Sequence, residues 1–245
     1  MPYVEEQPRL SIKKILLATN SSESWEAILA YVAGLARQSG ASISLADVTS
    51  AEVICAIVSN REVDLVVVAT SRSWRKLGTP STAEDILTMM PCPVLIIGPE
   101  VTYTQLAKKA LERIVYVTDF SISSLEALPY AVALAQDHET QLALVHVAEE
   151  TMMGPFHYGD SRTVAFQKRL DSLLGSAPGF FAKSEFVVGY GDRAEGLVRV
   201  AATLNASLIV TSVRGTPAGA AARVLRPIDG RVVRRAPCPV LMVPG

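Results

Sequence analysis

Ile15-Leu16-Leu17-Ala18-Thr19-Asn20-Ser21-Ser22 and, 99 residues further on, Ile114-Val115-Tyr116-Val117-Thr118-Asp119-Phe120-Ser121 are one pattern written twice. In each copy an apolar run enters a turn of Thr, Asn or Asp and Ser, residues that open helices, and an amphipathic stretch follows. The match continues at the same offset through Leu29/Leu128, Tyr31/Tyr130, Leu35/Leu134 and Ala36/Ala135, and then pairs Ala41 to Val48 with Thr140 to Val147. A strand, a helix and a second strand joined by a crossover of this length form a parallel, right-handed unit. Internal repetition at so long a period sets the architecture before any site is considered.

The offset then grows. Leu65-Val66-Val67-Val68 matches Leu208-Ile209-Val210-Thr211 at 143, and Pro91-Cys92-Pro93-Val94-Leu95 matches Pro237-Cys238-Pro239-Val240-Leu241 at 146. The first copy therefore lacks a segment corresponding to Ala148 to about Gly189. In the second copy that segment reads as a long connection, a helix near Arg162 to Leu174 and a strand at Ser184 to Val188. The expectation is four parallel strands in the first copy and five in the second. Glu100 to Ala110 is polar and reads as a short helical linker, which puts the boundary near residue 105 and the two units at 1–104 and 105–245. Apolar runs at Leu65 to Val68 and Leu208 to Val210 suit central strands covered on both faces, the pattern of an α/β chain with two Rossmann-like, doubly wound parallel sheets.

Composition narrows the function classes. The chain has 245 residues, 49% hydrophobic and 19% charged, ample for a packed core. Its 23 Lys and Arg balance 24 Asp and Glu, so no overall field draws it to nucleic acid or to an anionic membrane. No apolar run reaches the ~18 residues of a membrane span, and Met1-Pro2-Tyr3-Val4-Glu5-Glu6 is acidic where a signal peptide is basic. The reading is cytoplasmic. Cys92 and Cys238 sit in matching Pro-Cys-Pro-Val-Leu contexts and Cys55 in the apolar stretch Ala51 to Val58, so all three read as core residues in a reducing compartment. His138, His146 and His157 show no zinc-like spacing with them. His146 lies on an apolar strand and reads as a core or rim residue, whereas His157, with Met152, Met153, Phe156 and Tyr158, reads as part of a lid or partner contact. There is no nucleophile elbow and no Gly-Lys-Ser/Thr of a Walker loop, so no carrier of enzymatic turnover is visible.

Four stretches of the second copy, in order, carry a resemblance. They are Val117-Thr118-Asp119-Phe120-Ser121, Leu144-Val145-His146-Val147, Gly191-Asp192-Arg193-Ala194-Glu195, and Arg235-Ala236-Pro237-Cys238-Pro239-Val240-Leu241. Together they resemble the universal stress protein family in its tandem two-domain form. That resemblance implies strand order 3-2-1-4-5, with an adenine nucleotide (ATP, ADP or AMP) across the carboxyl ends of strands one and four, where open α/β sheets place their ligands. It also implies a Gly-x2-Gly-x9-Gly-Ser/Thr loop whose backbone N–H groups hold phosphate.

Both loops depart from that pattern. In the second copy the four positions fall on Ser212, Gly215, Arg226 and Pro227, with one residue inserted; in the first they fall on Ala69, Arg72, Pro80 and Ser81, with two deleted. One glycine survives in one loop and one hydroxyl in the other, so any nucleotide is expected to be held weakly. The adenosine end is better kept in the second copy, where Asp119 takes the family's acidic position and Val147 the one whose backbone meets the base; Asn20 and Val48 match them in the first. Asp119 and Asn20 also suit a helix cap, and both readings stand. The cofactor-binding set is thus Asp119, Val147, Ser212, Arg214, Gly215 and Arg226, with Asn20, Val48 and Ser81 as its weaker counterpart. Arg72, Arg75, Lys76, Arg214, Arg223, Arg226, Arg231, Arg234 and Arg235 gather around the loops, either as guanidinium phosphate holders or as a solvated surface.

In the implied order each fifth strand lies at a sheet edge, so Pro93 to Gly98 and Pro239 to Val243 would present uncharged, apolar ladders. Pairing them antiparallel makes the chain its own dimer, with Pro244 expected to end the ladder. The missing third strand leaves Ser42 to Val48 as an open edge able to recruit a further chain. The reading is a stress-response regulatory module with degenerate ATP loops, as a monomer or a homodimer. Its partners would be an adenine nucleotide and a protein, not nucleic acid or membrane. A scaffold without nucleotide and a slow ATPase are the alternatives.

Overall fold

In a computed structural model of the chain, placement is described for residues 12–18, 25–47, 50–70, 86–87, 89–107, 111–119, 122–148, 184–213 and 227–244. The first copy contributes β1 (Lys14–Ala18), α1 (Trp25–Ser39), β2 (Ser42–Ala46), α2 (Ala51–Arg61), β3 (Leu65–Ala69) and β4 (Val94–Ile97), after which α3 (Tyr103–Ala107) occupies the linker. The second contributes β5 (Arg113–Val117), α4 (Ile122–Asp137), β6 (Gln141–Ala148), β7 (Glu185–Tyr190), α5 (Arg193–Thr203), β8 (Leu208–Val213), α6 (Pro227–Arg235) and β9 (Val240–Pro244). The helix expected near Arg162 to Leu174 lies outside the described residues. The strand expected from Ser184 to Val188 runs on to Tyr190, because Val147 and Ala148 continue β6 far enough to pair with Gly189 and Tyr190.

The nine strands among the described residues form one sheet in the order β2-β1-β3-β4-β9-β8-β5-β6-β7. Four come from the first copy and five from the second, and within each copy every pairing is parallel. The start of the first strand is held alike in both halves. Asp64 Oδ2 accepts the N–H groups of Lys13 and Lys14 at 2.8 Å, and at the matching place Ser207 Oγ accepts the N–H of Arg113 at 3.0 Å.

The halves join through β4 and β9, which are antiparallel with Val94↔Met242, Leu95↔Leu241 and Ile96↔Val240. Pro93 gives its carbonyl to Val66 and Pro239 gives its own to Ile209. Because main-chain groups alternate sides along a strand, Leu95 and Leu241 bond within their own halves and the flanking pairs bond across the seam. Successive residues bury on opposite faces: Leu16, Val66, Ile96, Val115, Ile209 and Val240 share one core, while Leu17, Val67, Leu95, Tyr116, Val210 and Leu241 share the other. Each core spans both halves, so the pseudo-dimer buries its apolar surface as a unit. The seam ladder ends at Val94↔Met242, before Pro244, which is the last residue of β9 and pairs only on the β8 side, opposite Val213. The same alternation turns its missing N–H toward the β4 side, beyond the last β4 pair at Val94, so no ladder bond is lost.

Cys92 and Cys238 are buried at the starts of β4 and β9, and burial pushes their thiols up to about 11 and about 12 respectively. They pack as small apolar side chains. The half-buried Cys55 thiol donates to the Met89 carbonyl at 3.6 Å.

Candidate functional site

The order reverses between β5 and β8, because β6 lies on one side of β5 and β8 on the other. A crevice opens at the carboxyl ends of strands at such a point. Asp119 follows β5 there, half-buried. Ser212 lies on β8 two residues beyond Val210, which is paired with Tyr116, and so reaches past the end of β5. Val147 is near the end of β6, past Val117, the last β5 residue in register with it.

The backbone of Val147 has a definite direction. Val145 gives its carbonyl to the Thr118 N–H at 2.9 Å on the β5 side, and Ala148 gives its own to the Gly191 N–H at 3.0 Å on the β7 side. By alternation the N–H and C=O of Val147 turn toward the Thr118–Asp119 turn. Its side chain stands off the face of the sheet, under α5, where a Cβ added to Gly196 would stand 2.7 Å from Val147 Cγ1. Gly196 thus lets α5 press down on the valine while leaving the main chain to the crevice.

A polar clamp fixes the turn that carries Asp119. Tyr116 donates its hydroxyl to the Ser124 carbonyl at 2.6 Å, Thr118 Oγ1 lies 3.1 Å from Ser124 Oγ, and His146 Nδ1 lies 2.9 Å from the Thr118 carbonyl. Since a carbonyl only accepts, Nδ1 carries the proton. Thr118 and Ser124 are buried. None of Tyr116, Ser124 or His146 has a counterpart of its kind in the first copy, where Leu17, Trp25 and Asp47 stand at offset 99. The repeat comparison contained that signal: hydroxyls replace the apolar Leu17 and Trp25, and an imidazole replaces Asp47. Helix α4 opens at Ile122, three residues beyond Asp119. On the neighbouring α5 the cap is Asp192, whose carboxylate accepts from the N–H groups of Ala194 and Glu195 at 3.1 Å each.

The charged surface beside the crevice is partly committed. Arg231 reaches Asp192 at 2.9 Å and Glu195 at 3.6 Å, and Arg235 reaches Glu195 at 2.9 Å, tying α6 to the first turn of α5. Backbone N–H donation from Glu195, then the Arg231 bond, lowers the Asp192 carboxyl below its usual range. These two arginines therefore serve a surface ion-pair network. Arg72, Arg75, Lys76, Arg214, Gly215, Arg223 and Arg226 lie outside the described residues, as do Asn20, Val48, Ser81 and His157. No group of His, Cys, Asp and Glu able to hold a metal occurs among the described residues. No helix among them is long and apolar enough to cross a membrane.

A sequence model of the universal stress protein family matches residues 45–98 and 110–244. The chain belongs to the universal stress protein family. A universal stress protein of Synechocystis is 30% identical over 139 residues, spanning 54% of this chain and 84% of that protein. The crystal structure of a universal stress protein from Archaeoglobus fulgidus superposes with a TM-score of 0.64 at 18% identity, covering 96% of this chain and 89% of that one. A functionally unknown protein from Pseudomonas aeruginosa gives 0.60 at 14% identity, covering 96% and 94%. At those identities the likeness is one of fold. It agrees with the order β7-β6-β5-β8-β9 of the second copy, the 3-2-1-4-5 that the family resemblance implies.

The clamp of this universal stress protein makes its stability depend on pH. Burial, with a smaller contribution from Arg193, lowers the His146 imidazole below its usual range, although the Thr118 bond acts the other way. Burial lowers His138 as well, against Asp137. The unfolded chain then takes up these protons first, near the ordinary value of about 6.5. Their contribution to stability is complete above that pH and falls as pH drops through the lowered folded values. Urea unfolding measured from about pH 7 down to 5 should show this decline, and His146→Asn, which keeps a donor near the Nδ1 position without titrating, should flatten it. An unchanged slope in the variant would mean that His146 is not its source.

Proposed function

We propose that this chain is a regulatory module of the stress response that works in the cytoplasm through two unequal units, 1–104 and 105–245. The second retains weak capacity for an adenine nucleotide and the first has lost it. One observation carries the reading. In the second half, where Tyr116, Ser124 and His146 stand against Leu17, Trp25 and Asp47 of the first, a polar clamp holds an aspartate at the switch-point crevice while the Val147 backbone turns toward it. Asp119 is suited to accept from a ribose hydroxyl, and Val147 offers the donor and acceptor that an adenine edge requires. Ser212, Arg214, Gly215 and Arg226 would then face the phosphates, with side-chain donors in place of most of the glycine amides. The free, mostly buried thiols support a reducing compartment.

Calorimetry with ATP, ADP and AMP tests this. Asp119→Ala should weaken the tightest of them by about tenfold or more, the worth of a hydrogen bond to a charged group, while Asn20→Ala changes it by less than about twofold. Equal losses would place the surviving site elsewhere. The absence of heat with all three nucleotides would favour a scaffold that binds none, a reading supported by the commitment of Arg231 and Arg235 to carboxylates.

A further inference from the structure

Strand β2 ends the sheet and, among the described residues, pairs on one side only. Its sequence, Ser42-Ile43-Ser44-Leu45-Ala46, has none of the charges or prolines that usually protect an edge. The Ser42 N–H donates to the Lys13 carbonyl, so the main chain of Ser42, Ser44 and Ala46 serves β1 while that of Ile43 and Leu45 points outward. The other half shows what such a strand needs. There β7 covers β6, and Leu144, opposite Phe186, is 3% exposed; Leu45, at the matching position, is 57% exposed. Val53 on the neighbouring α2 is 46% exposed.

We propose that β2 pairs antiparallel with β2 of a second copy of this chain, across a two-fold axis through Ser44. The strand has nearly the same pattern in both directions about that residue. Ile43 opposes Leu45 and Leu45 opposes Ile43, Ser44 meets itself, and Ser42 meets Ala46. Large apolar residues lie against each other on one face and small ones on the other, the self-complementarity an isologous contact requires. The outward groups of Ile43 and Leu45 exchange hydrogen bonds, and the non-bonded pair falls on the axis at Ser44. The molecule already uses this alternation at its own seam, where Leu95 and Leu241 are the central pair. The exposed Asp47 would oppose Ala41 of the second copy, one strand from Lys13, so the ends bring unlike charges together. Pairing β2 with β7 of another copy is disfavoured, because it leaves a free edge at each end and grows without closing. Glu185, exposed and 3.8 Å from Arg113, also sets a charge at the start of β7.

Light scattering on the full chain tests the proposal. The native protein should show twice the single-chain mass and a melting temperature that rises with concentration; Leu45→Lys should show half that mass, unchanged circular dichroism and a melting temperature independent of concentration. The register has its own test. A non-hydrogen-bonded antiparallel pair brings its Cα atoms to about 4.5 Å, within disulfide reach. Oxidised Ser44→Cys should therefore run as a covalent dimer on a non-reducing gel, whereas Ser42→Cys, opposite Ala46, and the native chain with its own Cys55 should not. A single-chain mass for the native protein would overturn the pairing, as would a doubled mass unaffected by Leu45→Lys or equal cross-linking of the two cysteine variants. Masses rising beyond two chains would instead indicate β2 on β7, and protected Ile43 and Leu45 amides in a monomer would mean that the chain covers its own edge.

Discussion

Leu241→Ala is expected to destabilise the protein by about 3–4 kcal/mol, in the upper part of the range for a buried leucine. Leu241 is 2% exposed and lies at the centre of the seam, opposite Leu95. With Leu95, Leu65, Leu208, Leu35 and Leu134 it lines a narrow cleft of about 30 Å³ that both halves share. Truncation removes buried methyl groups and also enlarges a void whose floor is the sheet, where β3, β4, β8 and β9 are each bonded on both sides, so little collapse follows. Leu95→Ala should cost a similar amount, since the pseudo-two-fold places it equivalently. The double variant should fall short of the sum, because each truncation removes part of what the other had to lose. Urea denaturation of the three variants measures all of this. A loss below about 1 kcal/mol for Leu241→Ala would mean that the seam is loosely packed.

Gly98→Ala should cost about 2–3 kcal/mol through the opposite fault, overpacking. Gly98 follows β4 in the first half, and a Cβ there would lie 2.3 Å from the carbonyl oxygen of Val233, on α6 of the second half. A backbone oxygen within a helix cannot rotate away, so α6 or the end of β4 must shift, and both support the seam. The melting temperature should fall by roughly 2–4 °C for each kcal/mol in a chain of this size. Val233→Ala should not rescue it, because the obstructing atom is main chain. A Gly98→Ala protein as stable as the native one would show that the halves approach less closely here.

Much of the architecture was legible because repetition and apolar periodicity are properties of the chain read locally. The constant offset of 99 through Val147 placed two strand-helix-strand units, and its rise to 143 and 146 located the missing strand, giving the four and five strands observed. Two uncharged fifth strands with prolines at their starts, taken with the implied strand order, were enough to expect the antiparallel seam. Asp119 and Val147 could be named from position in the motif. The tertiary structure decided what depends on contacts between distant segments. The pairing of Leu95 with Leu241 turns the Pro244 nitrogen away from any lost bond, and no local property of Pro-Gly at the end of the chain carries that information. Tyr116, Ser124 and His146 become a clamp on the Asp119 turn only when β5, α4 and β6 meet. Arg231 and Arg235 counted as loose positive charge until α6 was laid across Asp192 and Glu195, whose carboxylates take them up. Periodicity along a strand or helix tells which face of an element is buried; which side chain on another element meets that face is set by register and crossing geometry, and those exist only once the sheet is assembled.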